Sequence, residues 1–299
     1  MFISIATCAL MSLFIQHRPA IVAMLAAMAS LATQDSLAKL LMVSLAPVVI
    51  IWSRYTLQTL LATTSLWRRR SVVTLATRSP GLQLLRGTLV VLGSAFGYAA
   101  LQRMPVAEFT AVYCLVPLTV TLAGRCFLHE PVRPAAWWCV ALGIAGVLLV
   151  VRPGTAVDPA GTALALCGVS CYTGFQLLTT VLARHDSPLC IHFYTSLQGM
   201  LVFSMLVPFF WPHDWTASQL FLLGLVALAG TGGQYFMVLA FAKAPVSVVS
   251  PYLQTAIVFS AFWGWVLFGH LPDAWALAGM GLIASSGVAV ARLKPLTST

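Results

Sequence analysis

The chain has 299 residues, of which 60% are hydrophobic and 8% charged, against about 25% charged in a typical soluble domain. So few charges cannot clothe a soluble surface, and the continuous apolar runs lack the alternation of a membrane β-barrel. The net charge of +9 follows the loops and forms no aromatic-interleaved basic patch, which argues against nucleic acid as a partner.

A membrane-crossing helix needs roughly 20 apolar residues. By that measure the sequence predicts ten, over roughly 20–42, 46–66, 80–101, 106–127, 134–151, 160–182, 189–210, 217–240, 246–268 and 274–291. Residues 1–16 are apolar but open with no basic residue, so they make a poor signal peptide. They read as an interfacial segment or as an extension of the first span.

In the first span, Asp35 and Lys39 lie four residues apart on one helix face, acid before base. Ionised groups in lipid must face protein or water. The two therefore read either as a grip for a zwitterionic solute or as a self-neutralising pair with Lys39 reaching outward. Arg54 of the second span lies about 12 Å into its helix at 1.5 Å per residue. It needs a permanent acceptor, either Asp35 at similar depth or a carboxylate on the solute. In the third span, Arg86 is about 9 Å from one end, close enough to snorkel to headgroups. Gly93 and Gly97 form a GxxxG packing motif there. Glu108 opens the fourth span, where it caps the helix or carries a proton.

Backbone breakers recur later. Pro117 falls in the fourth span and Pro251 in the ninth, and Gly232 and Gly233 interrupt the eighth. Corresponding breaks in two halves of a transporter mark hinges and site, so Gly93, Gly97, Pro117, Gly232, Gly233 and Pro251 are the expected hinge residues. The two prolines do not align between halves, which predicts bends at unequal depth. Uncharged polar side chains within spans comprise Gln34, Gln58, Tyr98, Tyr113, Tyr172, Gln176, His192, Gln198, Gln234, Tyr235, Tyr252 and Gln254. Each needs an internal partner or a wet cavity. The seven cysteines are scattered without metal-ligand spacing, and the glycines of Gly230–Gly233 lack the Gly-Lys-Ser/Thr of a phosphate loop. No cofactor or metal is expected.

With the N-terminus inside, Arg18, Arg68, Arg69, Arg70, Arg78, Arg125, Arg133, Arg184, Lys243, Arg292 and Lys294 fall on inner loops and tails, and Arg103 and Arg152 on outer ones. The positive-inside rule then predicts two cytoplasmic termini in an inner (cytoplasmic) membrane of bacterial type. The chain also repeats itself. Pro245-Val246 follows Pro105-Val106 by 140 residues, Gly287-Val288 follows Gly146-Val147 by 141, and Tyr194-Thr195 follows Tyr55-Thr56 by 139. The halves are 20–152 and 159–292, five spans each. An odd number of spans inverts the second half.

These residues resemble paired EamA modules of the drug/metabolite transporter superfamily. Leu128-His129-Glu130 is similar to the family's Leu-Gly-Glu turn, Arg54-Tyr55 to its Arg-aromatic pair, and Asp35 with Lys39 to an Asp-x-x-x-Lys of some metabolite-transporting members. His129 and Gly269-His270 depart from the pattern, standing where Gly and Gly-Glu are common. Among members, the match is to amino-acid exporters of the YddG type. The resemblance implies an all-α integral membrane fold, ten transmembrane helices in two inverted five-helix repeats around a central cavity, with the eighth and ninth helices lining it. It adds Gln234, Tyr252 and Gln254 to Asp35, Lys39 and Arg54 as substrate-binding candidates. The expected function is export of amino acids and related small metabolites by alternating access, with uptake of a nucleoside-like cofactor or vitamin as the alternative. Partners are the small-molecule solute and membrane lipid. An enzyme is not expected, because Asp35 is the sole acidic residue deep in a span.

Overall fold

A computed structural model describes residues 2–69, 77–128, 134–151, 158–182, 185–243 and 250–292. Among these, every regular segment is helical: α1 (Phe2–Leu41), α2 (Pro47–Arg69), α3 (Pro80–Arg103), α4 (Val106–Tyr113), α5 (Val116–Leu128), α6 (Pro134–Val151), α7 (Pro159–Leu182), α8 (Pro188–Leu206), α9 (Ala217–Lys243), α10 (Ala256–Phe268) and α11 (Ala274–Arg292). Two 3₁₀ segments, Val207–Phe210 and Ser250–Thr255, adjoin α8 and α10. Helix is the form that satisfies each backbone amide within its own segment in lipid. Five helices begin at a proline (Pro47, Pro80, Pro134, Pro159 and Pro188), where the missing N–H is not needed and φ is preset.

Among the described residues, six segments are long and apolar enough to cross a membrane: Arg18–Leu41, Pro80–Arg103, Val106–Phe127, Pro159–Leu182, Cys190–Phe210 and Ala217–Ala240. Shorter apolar helices cover Trp137–Val150, Tyr252–Phe268 and Ala274–Ala289. The N-terminal residues continue α1 to a helix of 40 residues, about 60 Å at 1.5 Å per residue and roughly twice the hydrocarbon thickness.

The helices pack in exchanged pairs. α1 lies along α9 as α3 lies along α7, α3 meets α8 as α2 meets α9, and α2 with α8 and α6 with α11 close the set. Small residues permit the contacts. A Cβ on Gly279 would lie 2.5 Å from the Gly146 carbonyl oxygen, so α6 and α11 touch backbone to backbone. On α3, Gly93 faces Cys171 and the Gly168 carbonyl of α7, and the Tyr113 hydroxyl fills the space beside Gly97.

The segment Val106–Leu128 is broken in two, and a 3₁₀ segment leads into α10. α4 ends at Tyr113, Cys114 and Leu115 form a turn, and α5 restarts at Val116; the 3₁₀ segment runs to Thr255 and α10 starts at Ala256. Val116 and Ala256 are 140 residues apart, the offset of the repeat. Pro117 is the second residue of α5, where no N–H is required, whereas Pro251 enters the 3₁₀ turn ahead of the restart. The prolines are out of register, whereas the helix starts at Val116 and Ala256 keep the repeat offset. The Leu128-His129-Glu130 motif runs into residues 129–133, outside the described residues.

Apolar side chains bury themselves in three separate groups: around α4 (Leu101, Met104, Val106, Leu118, Ile283), between α2 and α8 (Ile50, Ile51, Phe203) and between α1 and α9 (Ala20, Met24, Ala240). The space between them is a cavity. On the outside, Trp137, Trp138, Phe209, Phe221, Trp265 and Trp275 are exposed, which suits a surface solvated by lipid.

Candidate functional site

The cavity has a volume of about 650 Å³, within the range of small-molecule sites. α1 contributes Gln34 and Asp35, α2 contributes Arg54, Tyr55 and Gln58, and α3 contributes Arg86, Ser94 and Tyr98. Across from them stand Phe109 and Tyr113 of α4, Tyr172, Phe175 and Gln176 of α7, His192 of α8 and Gln234 of α9. Gln254 of the second 3₁₀ segment and Ser260 of α10 close the wall.

Arg54 is the charged centre of one wall. Its guanidinium donates to Ser94 Oγ at 3.0 Å and lies over the rings of Tyr55 (4.8 Å) and Tyr98 (5.7 Å). The Tyr55 hydroxyl meets the same Ser94 Oγ at 2.8 Å. The Arg54 Nε is buried without a hydrogen-bond partner. Asp35 accepts from Gln34 Nε2 at 2.8 Å, and that amide is also 3.5 Å from the Tyr98 hydroxyl. Gln34 rests on Gly230, where a Cβ would run into its Oε1.

Two expected pairings are not made. Among the described residues, Asp35 forms an ion pair with neither Arg54 nor Lys39. Lys39 turns instead to the end of α3, donating to Leu101 O at 2.9 Å and to Met104 O. These terminal carbonyls have no intrahelical donor, so an ammonium one turn beyond Asp35 is drawn to cap them. Arg86 does not snorkel. It is buried at 5% exposure, donates to Thr179 Oγ1 (2.7 Å), Ile191 O (3.1 Å) and Thr195 Oγ1, and stacks 4.2 Å from the Phe175 ring. Acceptors from α7 and α8 and an aromatic face hold it inside the bundle. Glu108 lies 3.5 Å from His270 Nε2; none of its described hydrogen bonds runs to the amides of its own helix.

Of the substrate-binding candidates, Asp35, Arg54, Gln234 and Gln254 face the cavity. Lys39 and Tyr252 are not among its lining residues; Tyr252 packs on the apolar group around Met24. Of the hinge candidates, Gly93 and Gly97 line the cavity, Gly233 packs on Leu31, and Gly232 has open space where a Cβ would stand. Sequence reasoning passed over Ser94 and gave no rank to Tyr98, Tyr113 and Tyr172. The signal was present: four of the seven tyrosines line the cavity, and a hydroxyl within a span marks the wet face of its helix.

Comparison with known proteins gives a concordant result. The EamA-like transporter family matches the chain twice, over residues 18–152 and 159–291. Similar relatives include a riboflavin transporter of Rhizobium johnstonii, 28% identical over 232 residues, covering 75% of this chain and 74% of the relative. A pseudopaline exporter of Pseudomonas aeruginosa is 25% identical over 255 residues (82% and 86% covered). An S-adenosylmethionine uptake transporter of Rickettsia felis is 24% identical over 213 residues (70% and 71% covered). The fold is shared with a protein of known crystal structure at a TM-score of 0.64 and 20% identity, covering 91% of this chain and 96% of that one.

Proposed function

We propose that this chain, which belongs to the EamA-like transporter family, carries a small organic metabolite with a planar ring by alternating access through the central cavity. The observation that carries the reading is the wall itself: Tyr55, Tyr98, Phe109, Tyr113, Tyr172 and Phe175 all face the cavity, alongside a guanidinium with an unpartnered Nε. Aromatic faces take a flat heterocycle and the guanidinium takes an oxygen acceptor. Relatives named for riboflavin and S-adenosylmethionine transport favour the same class, a vitamin or nucleoside-like cofactor. A second reading is export of amino acids. It is favoured by Asp35 and Arg54, two opposite charges not paired to each other on one cavity, as an ammonium and a carboxylate would require.

In this reading the ten predicted spans form two inverted repeats, with both termini cytoplasmic. The exchanged helix pairs and the helix starts at Val116 and Ala256, 140 residues apart, support that arrangement. The ends of α1, α3, α4 and α10 that would face outward are tied together. Lys39 caps α3, Thr110 Oγ1 meets Ser260 Oγ at 2.7 Å, and Glu108 meets His270. The bundle thus reads as closed to the outside, with the breaks at Cys114–Leu115 and Ser250–Thr255 and the small residues Gly93, Gly97, Gly232 and Gly233 as hinges.

The test is counterflow in proteoliposomes. Labelled riboflavin, S-adenosylmethionine and a panel of amino acids enter vesicles loaded with the same unlabelled compound. A carrier accelerates entry when the opposite side is loaded, and a channel does not. Acceleration with the heterocycles supports the first reading and with amino acids the second. No acceleration with any of them would sink both.

A further inference from the structure

We infer that Glu108 and His270 form a proton-binding latch on the outward end of the bundle, whose protonation sets how readily the cavity opens to the outside. The inference rests on the orientation and carrier reading above.

Glu108 lies in the first turn of α4 and is 8% exposed. Its Oε1 is 3.5 Å from His270 Nε2, and its Oε2 is buried without a hydrogen-bond partner. A carboxylate held in this way is stabilised chiefly by the imidazole, with the Lys39 ammonium a weaker, more distant attraction. His270 is placed by a rigid turn. α10 ends at Gly269 with φ 64°, and the amides of Gly269 and His270 bond back to Trp265 O (2.9 Å) and Gly264 O (3.1 Å). Left-handed φ at that position favours glycine. The latch therefore joins the start of α4 to the end of α10, across the mouth whose next layer inward is the Thr110–Ser260 contact.

The charged groups around it are few. Lys39 reaches in from α1, but its ammonium is held by Leu101 O and Met104 O beside the Phe268 ring. Asp273 faces from the start of α11, where it accepts from the Ala276 amide at 2.9 Å. Neither replaces the imidazole as the contact of Glu108. The His270 side chain is 43% exposed, open to outer water. Imidazole changes charge between about pH 5 and 8. With the proton on, Glu108 and His270 attract as an ion pair. With it off, the attraction falls to a weak neutral contact and the buried carboxylate favours a wetter, opened arrangement. Acid outside closes the latch and alkaline pH loosens it.

The test needs no substrate, so its failure is distinct from failure of the carrier reading. Spin labels at Val43 and Leu271, both exposed on the outward end and outside the latch, report their separation in nanodiscs in a cysteine-free background. From pH 5.5 to 8, the population at longer distance should rise about two- to fivefold, the range of a partly exposed ion pair. Glu108→Gln and His270→Gln should each abolish the response. If Glu108→Gln does not reach the membrane, the exposed His270→Gln variant carries the test alone. A wild-type distribution that is the same at both pH values, or a response retained in His270→Gln, would overturn the latch.

Discussion

Arg54 offers the sharpest test of the cavity. Its guanidinium is spent on Ser94 Oγ and on the faces of Tyr55 and Tyr98, with Nε buried and unpartnered. A substrate oxygen acceptor docked there would form a charge-assisted hydrogen bond, worth about 1.5–3 kcal/mol. At about 1.4 kcal/mol per tenfold, Arg54→Gln should raise the half-saturation concentration about 10- to 100-fold while the protein stays folded and the maximal rate changes little. The assay is counterflow in proteoliposomes over a range of concentrations, with whichever compound the panel identifies. Because Asp35 and Arg54 make no ion pair, Asp35→Asn should not rescue the loss. Arg54→Lys should rescue it only in part, since lysine keeps the charge but lacks the planar fork. Unchanged half-saturation in Arg54→Gln, or recovery in the double variant, would refute substrate binding at this guanidinium.

Gly279→Ala should lower the melting temperature in detergent, with a loss of about 1–3 kcal/mol typical of overpacking, because its Cβ would sit 2.5 Å from a backbone oxygen. Gly281→Ala, with nothing within 4 Å, should not; equal melting of the two would refute the backbone contact. A cysteine at Asp214 should react with an impermeant maleimide in intact cells and one at Arg69 should not, and the reverse pattern would overturn the orientation. Asp186, in the turn between α7 and α8, braces the start of α3 by accepting from Thr77 Oγ1 (2.5 Å), Gln83 Nε2 (2.8 Å) and the Arg78 amide (3.3 Å). Burial alone would raise its pKa, but these bonds outweigh it and hold the carboxyl below its usual range. Its stabilising effect is therefore present above the ordinary carboxylate pKa of about 3.9 and is lost as pH falls through the lower folded value. Thermal melts should show that acid-side loss in the wild type and not in Asp186→Asn. Pro251→Ala should slow transport more than it weakens binding, as stiffening a hinge would; a wild-type rate would leave the hinge without support.

Much of this protein is legible in the residue order. Apolar runs of span length, prolines at helix starts and the repeat at an offset of 140 are one-dimensional signals, because lipid leaves helix as the form that satisfies the backbone. The same logic singled out Asp35 and Arg54 and the family resemblance Gln234 and Gln254, all four of which line the cavity. What tertiary structure decided was partnership. Spacing put Lys39 beside Asp35, yet the terminal carbonyls of α3 lie closer in space and take the ammonium. Depth along α3 suggested that Arg86 reaches the headgroups, yet Thr179, Thr195 and Phe175 on neighbouring helices hold it inside. The contact between Glu108 and His270 spans 162 residues of chain, which no local pattern encodes. Electrostatic and hydrogen-bond energies fall off over a few ångströms of space, and that distance is fixed when the helices pack.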